Sequence, residues 1–427
     1  MDKFVITGGR PLHGTMQPSG NKNAALPMMA ACLLTEEPVI LHNMPNIIDT
    51  QTMRKLLESL GVKVEMLENA SSWRLQAKNI CPSDLDPDLC HQIRASILLA
   101  GPMLARFGNL VLPPPGGDVI GRRRVDTHIL ALEKLGAKFK FNGVFDFKAE
   151  RLQGADILLD EASVTATENT IMAAVLANGT TTIRNAASEP HIQELCKLLN
   201  AMGAGVQNIG SNTLVIEGKE RLHGAEFTIG PDYLEVISFV GAAVVTHGEI
   251  RIKNAGVEHL SMIQMVLKRL GVDITFVGDD ILVGANQRLV IKPDLGNAIP
   301  EISVMPWPAF PTDLMSIAIV IATQSTGTIL FHDWMYPSRM FFTDKLVSMG
   351  AQIVLCDPHR CIVNGPTRLN AEKLDSPDIR AGIALVLAAL SANGTSTIRN
   401  VVQIDRGYER IDDKLRGLGA EIIRENA

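Results

Sequence analysis

Residues 171–206 read IMAAVLANGTTTIRNAASEPHIQELCKLLNAMGAGV, and each part of that stretch has a structural meaning. IMAAVLA carries no polar face, which is the pattern of a helix buried on all sides. Gly179 opens a turn, and TTTIRN is β-branched and alternates, as a short strand does. A polar loop leads to a helix with one charged and one apolar face. Gly203, after Met202, falls where a left-handed residue ends a helix and releases the chain into a second strand.

Outward from this stretch the same unit recurs, six times in all. The strands after the turn read EPVILHN, GNLVLPP, GTTTIRN, GEIRIKN, GTILFHD and GTSTIRN, and the closing glycines are Gly61, Gly136, Gly203, Gly271, Gly350 and Gly419, about 70 residues apart. The first helices (NAALPMMAACLL, ASILLAGPML, IMAAVLA, VISFVGAAVV, DLMSIAIVIA and IRAGIALVLAAL) are apolar nearly all round. The second helices, such as DTQTMRKLLESL and ERIDDKLRGL, are amphipathic and suited to covering a sheet. The predicted unit is strand, helix, strand, helix, in an α/β chain whose helix bank is enclosed by sheets. Units this large divide naturally into two domains of three; an open solenoid is the competing arrangement.

The 427 residues predict at least two domains. A net charge of -6 and a pI near 6.0 give no general footprint for nucleic acid, so any anion site must be built locally. The start, MDKFVITGGRPLHG, lacks an apolar leader and the apolar runs are too short to span a bilayer, which predicts a cytoplasmic protein without a membrane partner. Cys32, Cys81, Cys90, Cys196, Cys356 and Cys361 include no CxxC pair. Cys356 and Cys361 raise a zinc question that two thiols cannot carry, so reduced residues and no metal are expected.

Polar groups gather where the apolar helices begin: Lys22 with Asn23, Arg94, Thr167 to Asn169, Asp232 with Glu235, Asp313, and Asp378 with Arg380. A carboxylate there complements the helix dipole, and Asp378 is equally well read as such a cap. A cation opposes the dipole, so Lys22, Arg94 and Arg380 are either placed to meet an anion or simply snorkel to solvent. PPPGGDVIGRRRVDTHI, residues 113–129, joins a Pro/Gly loop carrying Asp118 to three arginines suited to phosphate or carboxylate. Its readings are a lid bearing a reactive group and an ordinary turn. Asp313, in WPAFPTDLM, is a cap or a general base. Arg406, in QIDRGYERIDDKL, is placed at the start of an amphipathic helix, beside two carboxylates that would neutralise it.

SGNKNAALP, RASILLAGPMLARFG, PGGDVIGRRRVDTHI, SVTATENTIM, WPAFPTD, the Arg339 segment YPSRMFF, SPDIRAG and IDRGYERIDDKLRGLGA resemble, in order and along essentially the whole chain, the bacterial UDP-N-acetylglucosamine enolpyruvyl transferases. The resemblance implies two inside-out α/β barrel domains of three repeats each, residues 1–20 with 231–427 forming one and 21–230 the other, with the active site in the cleft between them. It implies transfer of the enolpyruvyl group of phosphoenolpyruvate to the 3'-hydroxyl of UDP-N-acetylglucosamine, with phosphate released, as the first committed step of peptidoglycan precursor synthesis. No cofactor is implied, and the oligomeric state stays open.

By the same resemblance Lys22, Arg123 and Arg406 contact the groups derived from phosphoenolpyruvate, Arg94 and Arg380 help set the closed site, and Asp313 takes the hydroxyl proton. Arg123, Arg124, Val125, Asp126 and Thr127, with Glu161, Ala162, Ser163 and Val164, are assigned to the uridine-diphosphate region; Asn23, Arg94, Asp313 and Met335 lie near the sugar. Arg339 and Asp378 complete the implied binding set. Asp118 stands where most members carry cysteine, so fosfomycin, which alkylates that cysteine, is expected not to inactivate this chain. Glu161 stands where lysine is common, Thr165 where glycine is usual, and PDYLEVISF where the family usually has an Asp-Arg-Ile-Glu-Ala-Gly-Thr run. These departures leave open a different nucleotide or nucleotide-sugar acceptor. A noncatalytic ligand sensor is a further alternative, while the missing Asn-Ala-Gly-Thr motif argues against shikimate-type transfer.

Overall fold

Each of the six closing glycines takes a positive φ, from 83° at Gly271 to 104° at Gly350, and a strand starts just beyond each. At Gly61 the space is closed as well: an added Cβ would lie 2.5 Å from the carbonyl oxygen of Asn79. A side chain here meets both an unfavourable backbone conformation and a clash. The computed structural model describes residues 2–67, 70–81, 85–117, 120–121 and 123–426. Most of the chain divides between two compact units, Met1–Ser19 with Pro231–Ala427, and Gly20–Asp118 with Arg123–Gly230.

The apolar runs form the buried helices. In the second unit these are α1 (Lys22–Ala31), α2 (Ala100–Phe107) and α3 (Val164–Ala174). In the first they are α4 (Tyr233–Val245), α5 (Met315–Gln324) and α6 (Ile379–Ser391), which pack against one another pairwise. Every residue of α4 is buried. At its centre a Cβ on Gly241 would stand 2.7 Å from Leu387 and 2.9 Å from Ile317, so the glycine lets α4 approach both neighbours. Two predicted helices are each broken in two. A 3-10 turn, Arg94–Leu99, precedes α2, and another, Thr312–Leu314, precedes α5. Pro102, in the first turn of α2, lacks the N–H that would continue an α-helix from the preceding turn.

Among the described residues there are six sheets, five of four strands and one of three. Here the predicted unit needs correction, because it contains more strands than were read. A return strand pairs antiparallel with five of the six closing strands, as Trp73–Gln76 does with Lys63–Met66 and Arg360–Gly365 with Gln352–Asp357. A further strand precedes three of the buried helices and lies parallel to the strand after it: Asp156–Leu158 with Thr180–Arg184, Glu301–Ser303 with Gly327–His332, and Lys373–Asp375 with Thr395–Arg399. These pieces are too short to stand out by periodicity and are held by pairing. Lys3–Thr7 sits between Thr395–Arg399 and Glu421–Glu425, antiparallel to both, and His13–Met16 pairs parallel with Glu249–Ile252. Among the described residues no helix is long and apolar enough to cross a membrane.

Candidate functional site

The N-terminal ends of the buried helices carry an ionic cluster in each unit. In the second unit Asn21 caps α1, accepting from the N–H of Asn23 (2.8 Å) and of Ala24 (3.2 Å). That bond holds Lys22 in the first turn, where its ammonium lies 2.7 Å from Asp49. The pair is nearly dry, with side-chain exposures of 11% and 4%, so the lysine does not snorkel to water. Asn23 is half-buried beside it. Arg94 is half-buried and donates to the carbonyls of Arg123 (3.1 Å) and Arg124 (2.7 Å), so its role here is to hold the backbone of the arginine run.

Arg123 is half-buried, and the exposed Arg124 reaches Asp160 (2.9 Å) and Asp126 (3.3 Å). Asp160 also accepts from Thr127 Oγ1 at 2.7 Å. Hydrogen bonds from Thr127 and Arg124 outweigh its small desolvation and hold its carboxyl below the ordinary range. Ser163 caps α3, accepting from Ala166 at 3.5 Å. Val125 and Val164 pack at the rim of the core, Ala162 is half-buried, and Glu161 is exposed. Because α3 starts at Val164, Thr167 to Asn169 lie about one turn inside it and not at its mouth as predicted; the polar start SVTATEN is itself helical.

Deeper in this unit His128 is 1% exposed, and burial, with the charge of Arg94, lowers its pKa to about 3. The imidazole is therefore neutral. Asn169 Nδ2 donates to its Nδ1 at 2.9 Å, which leaves Nε2–H to donate to Thr165 Oγ1 at 3.0 Å. Thr165, in place of the usual glycine, thus satisfies a buried histidine. Glu168 is 1% exposed; burial first, then Glu189, raises its pKa well above the ordinary carboxyl value.

In the first unit Asp313 lies in the 3-10 turn before α5. Arg339 Nη2 approaches one of its oxygens at 2.9 Å, and Arg380 Nε and Nη2 approach the other at 3.2 and 3.1 Å. The arginine side chains are 4% and 6% exposed and the carboxylate is 27% exposed, so the acid reaches outward from two buried cations. Burial opposes the charge on Arg339, but Asp313, Asp378 and Asp333 outweigh it and raise its pKa. Asp378 caps α6, accepting from the N–H of Arg380 (2.8 Å) and of Ala381 (2.9 Å). Met335 is partly buried, and its N–H donates to Asp333 at 3.1 Å. Arg406 ends the short helix Val402–Asp405 and donates to Gln403 at 3.1 Å. The amphipathic helix begins only at Ile411, which corrects the predicted place of Arg406. Asp405 and Asp412 receive Arg424, at 2.7 and 3.2 Å.

Each cluster therefore brings together residues singled out in the sequence: Lys22 and Asn23, and Arg94 with the Arg123 run, in one unit; Asp313, Arg339, Arg380 and Asp378 in the other. Asp118 lies outside the described residues. Sequence reading missed Asn21, Asp49 and His128. Asn21 had a readable signal, a capping residue directly before an apolar run; the others are joined only by folding.

A family model described as EPSP synthase (3-phosphoshikimate 1-carboxyvinyltransferase) matches residues 6–415. A protein of Bradyrhizobium diazoefficiens named UDP-N-acetylglucosamine 1-carboxyvinyltransferase is 56% identical over 422 residues, 99% of this chain and 98% of its own length. One of the same name from Treponema denticola is 53% identical, with 99% of each covered. Among solved structures, the enolpyruvyl transferase NikO from Streptomyces tendae superposes with a TM-score of 0.88 at 24% identity, covering 100% of this chain and 99% of that one. EPSP synthase from Acinetobacter baumannii gives 0.77 at 17%, with both chains covered fully. These likenesses show the fold, and the sequence relatives show the lineage: the chain belongs to the EPSP synthase (3-phosphoshikimate 1-carboxyvinyltransferase) family.

Proposed function

We propose that this chain transfers the enolpyruvyl group of phosphoenolpyruvate to the 3'-hydroxyl of UDP-N-acetylglucosamine, releasing phosphate. The observation that carries the reading is full-length identity of 56% and 53% to two proteins bearing the name of that activity. In the proposed chemistry Asp313 takes the hydroxyl proton as the sugar oxygen bonds to C2 of phosphoenolpyruvate, and Asp118 delivers a proton to C3. A proton then passes from C3 back to the Asp118 carboxylate, the C2–O bond to phosphate breaks with its electron pair leaving on phosphate, and the enol ether forms. Lys22, Arg123 and Arg406 are assigned to the phosphate and carboxylate; preorganised cations stabilise such shifting charge without reorganising. Asp313 suits a proton acceptor, since its carboxylate is fixed by two guanidiniums and still partly exposed.

The nucleotide is assigned to Arg123, Arg124, Val125, Asp126 and Thr127 and to the Glu161 to Val164 stretch. The charges there also favour a second reading, in which the acceptor is a different nucleotide. Arg124 is already engaged by Asp126 and Asp160, and Glu161 is a further carboxylate on the same strip, so a diphosphate must compete with acid groups. The substrates assign the protein to the cytoplasm and its product to peptidoglycan synthesis. Phosphate release from phosphoenolpyruvate with UDP-N-acetylglucosamine, with no-acceptor and Asp313→Ala controls and mass detection of the product, tests the reading. Release that requires this acceptor supports it. Release only with another nucleotide favours the second reading, and binding without release favours a sensor.

A further inference from the structure

Arg380 lies in the first turn of α6, against α5. Its backbone carbonyl accepts from Ser316 of α5 at 2.8 Å, its backbone N–H is held by Asp378, and its guanidinium is braced by Asp313. One more contact lies outside the catalytic assignments. Nη1 of Arg380 points to the phenol oxygen of Tyr408 at 3.4 Å, and that oxygen lies 2.9 Å from Ser238 Oγ. Tyr408 is 2% exposed and Ser238 1%.

The directions of these bonds are settled by counting hydrogens. Ser238 Oγ donates to the Leu234 carbonyl at 2.7 Å, which uses its only hydrogen. Tyr408 therefore donates to Ser238, and its lone pair is left to accept from Arg380. This order requires a neutral phenol, and burial, against the pull of Arg380, raises the Tyr408 pKa to about 12. The guanidinium also lies 5.8 Å from the ring centroid. Asp313 takes the Nε and Nη2 side and Tyr408 one hydrogen of Nη1, so the edge left for an anion is the one shared by the two terminal nitrogens.

We propose that Tyr408, oriented by Ser238, is a positioning residue that fixes the Arg380 guanidinium so that this edge meets the anionic groups of phosphoenolpyruvate. The inference rests on the enolpyruvyl-transfer reading and adds to it a residue pair outside the assigned site. The serine falls in the PDYLEVISF run that departs from the usual family sequence.

The test compares wild type, Tyr408→Phe, Ser238→Ala and the double variant, all full length. Phosphate release and calorimetric binding of phosphoenolpyruvate are both read. Tyr408→Phe keeps the ring and removes only the hydroxyl. Losing a hydrogen bond to a charged group is expected to lower kcat/KM for phosphoenolpyruvate, and its affinity, about tenfold. KM for the sugar nucleotide should stay unchanged. Ser238→Ala should give a smaller loss of the same kind, and the double variant should be no worse than Tyr408→Phe, because the serine acts only through the phenol. Equal rises in both KM values, additive losses, or unchanged kcat/KM and affinity overturn the inference. If wild type does not turn over but phosphoenolpyruvate affinity falls as expected in Tyr408→Phe, the positioning role stands and the transfer reading fails. Should Tyr408→Phe not fold, Ser238→Ala alone decides, since unchanged affinity there breaks the chain of bonds.

Discussion

Glu168 offers the sharpest test of the electrostatics, because its carboxyl is buried on α3 and one oxygen, Oε1, has no hydrogen-bond partner among the described residues. Burial, with Glu189 adding repulsion, raises its pKa well above the 4.5 of a free glutamate. A group whose folded pKa is raised adds stability that is complete below the unfolded value and is lost as the pH climbs toward the folded value. In that window the unfolded chain ionises while the folded chain stays protonated, so each pH unit removes about 1.4 kcal/mol. Glu168→Gln, neutral and nearly isosteric with the protonated acid, removes the slope. Relative to the variant, wild type should lose stability steadily as the pH rises from 5 toward 7, at up to about 1.4 kcal/mol per pH unit. Trp73 is buried in the same unit, so its fluorescence in a Trp307→Phe/Trp334→Phe background reports that unit's urea transition at each pH. A gap between the two proteins that is constant from pH 5 to pH 7, or that closes as pH rises, would show that Glu168 is ionised in the folded chain.

Asp313→Asn should abolish phosphate release. It should also lower the heat-denaturation midpoint, since two buried guanidiniums lose their carboxylate, a change that costs about 3–5 kcal/mol in comparable buried pairs. Gly61→Ala should destabilise more than Gly136→Ala: both glycines have φ near +97°, but an added Cβ is 2.5 Å from a carbonyl at Gly61 and meets open space at Gly136. Calorimetry on the two variants separates backbone strain, of order 1–3 kcal/mol, from the added clash. Fosfomycin should leave the wild type active, while Asp118→Cys should be inactivated with time and gain the inhibitor's mass; an adduct on Asp118 in the wild type would overturn the assignment of that position.

The repeat was legible because its punctuation is local. The closing glycines are fixed by the backbone they require, and the apolar helices by composition, so both could be read without knowing any neighbour. Asparagine ends four of the six post-turn strands. Asn43, Asn185, Asn254 and Asn400 all take positive φ, and the amides of Asn43, Asn185 and Asn400 donate to Ile229, Leu159 and Ser376, each just past a neighbouring parallel strand. That signal was visible in the aligned segments, but its meaning depended on strands too short to read. The charged residues of the candidate site could be named one by one, yet their pairings could not. Nothing near Lys22 in sequence points to Asp49, and nothing in the loop of Tyr408 points to Ser238. Arg406 was misplaced because the helix boundary depends on Arg410, which takes φ 46°, a turn that no glycine announces.

The position of Lys3–Thr7 has a consequence for how this polypeptide is made. The strand lies in the interior of a sheet whose other strands all come from Lys373–Glu425, and Thr7 meets Thr395 across 388 residues. At ribosomal rates of roughly 5–20 residues per second, the strand waits on the order of 20–80 s for its partners, emerging long before any of them. Gly20–Asp118 with Arg123–Gly230 has all its own sheet partners to hand by then. The emerging chain thus carries a finished half beside an unpaired apolar strand, and a nascent-chain binder that shields Phe4 and Ile6 would govern the yield of the last sheet to close.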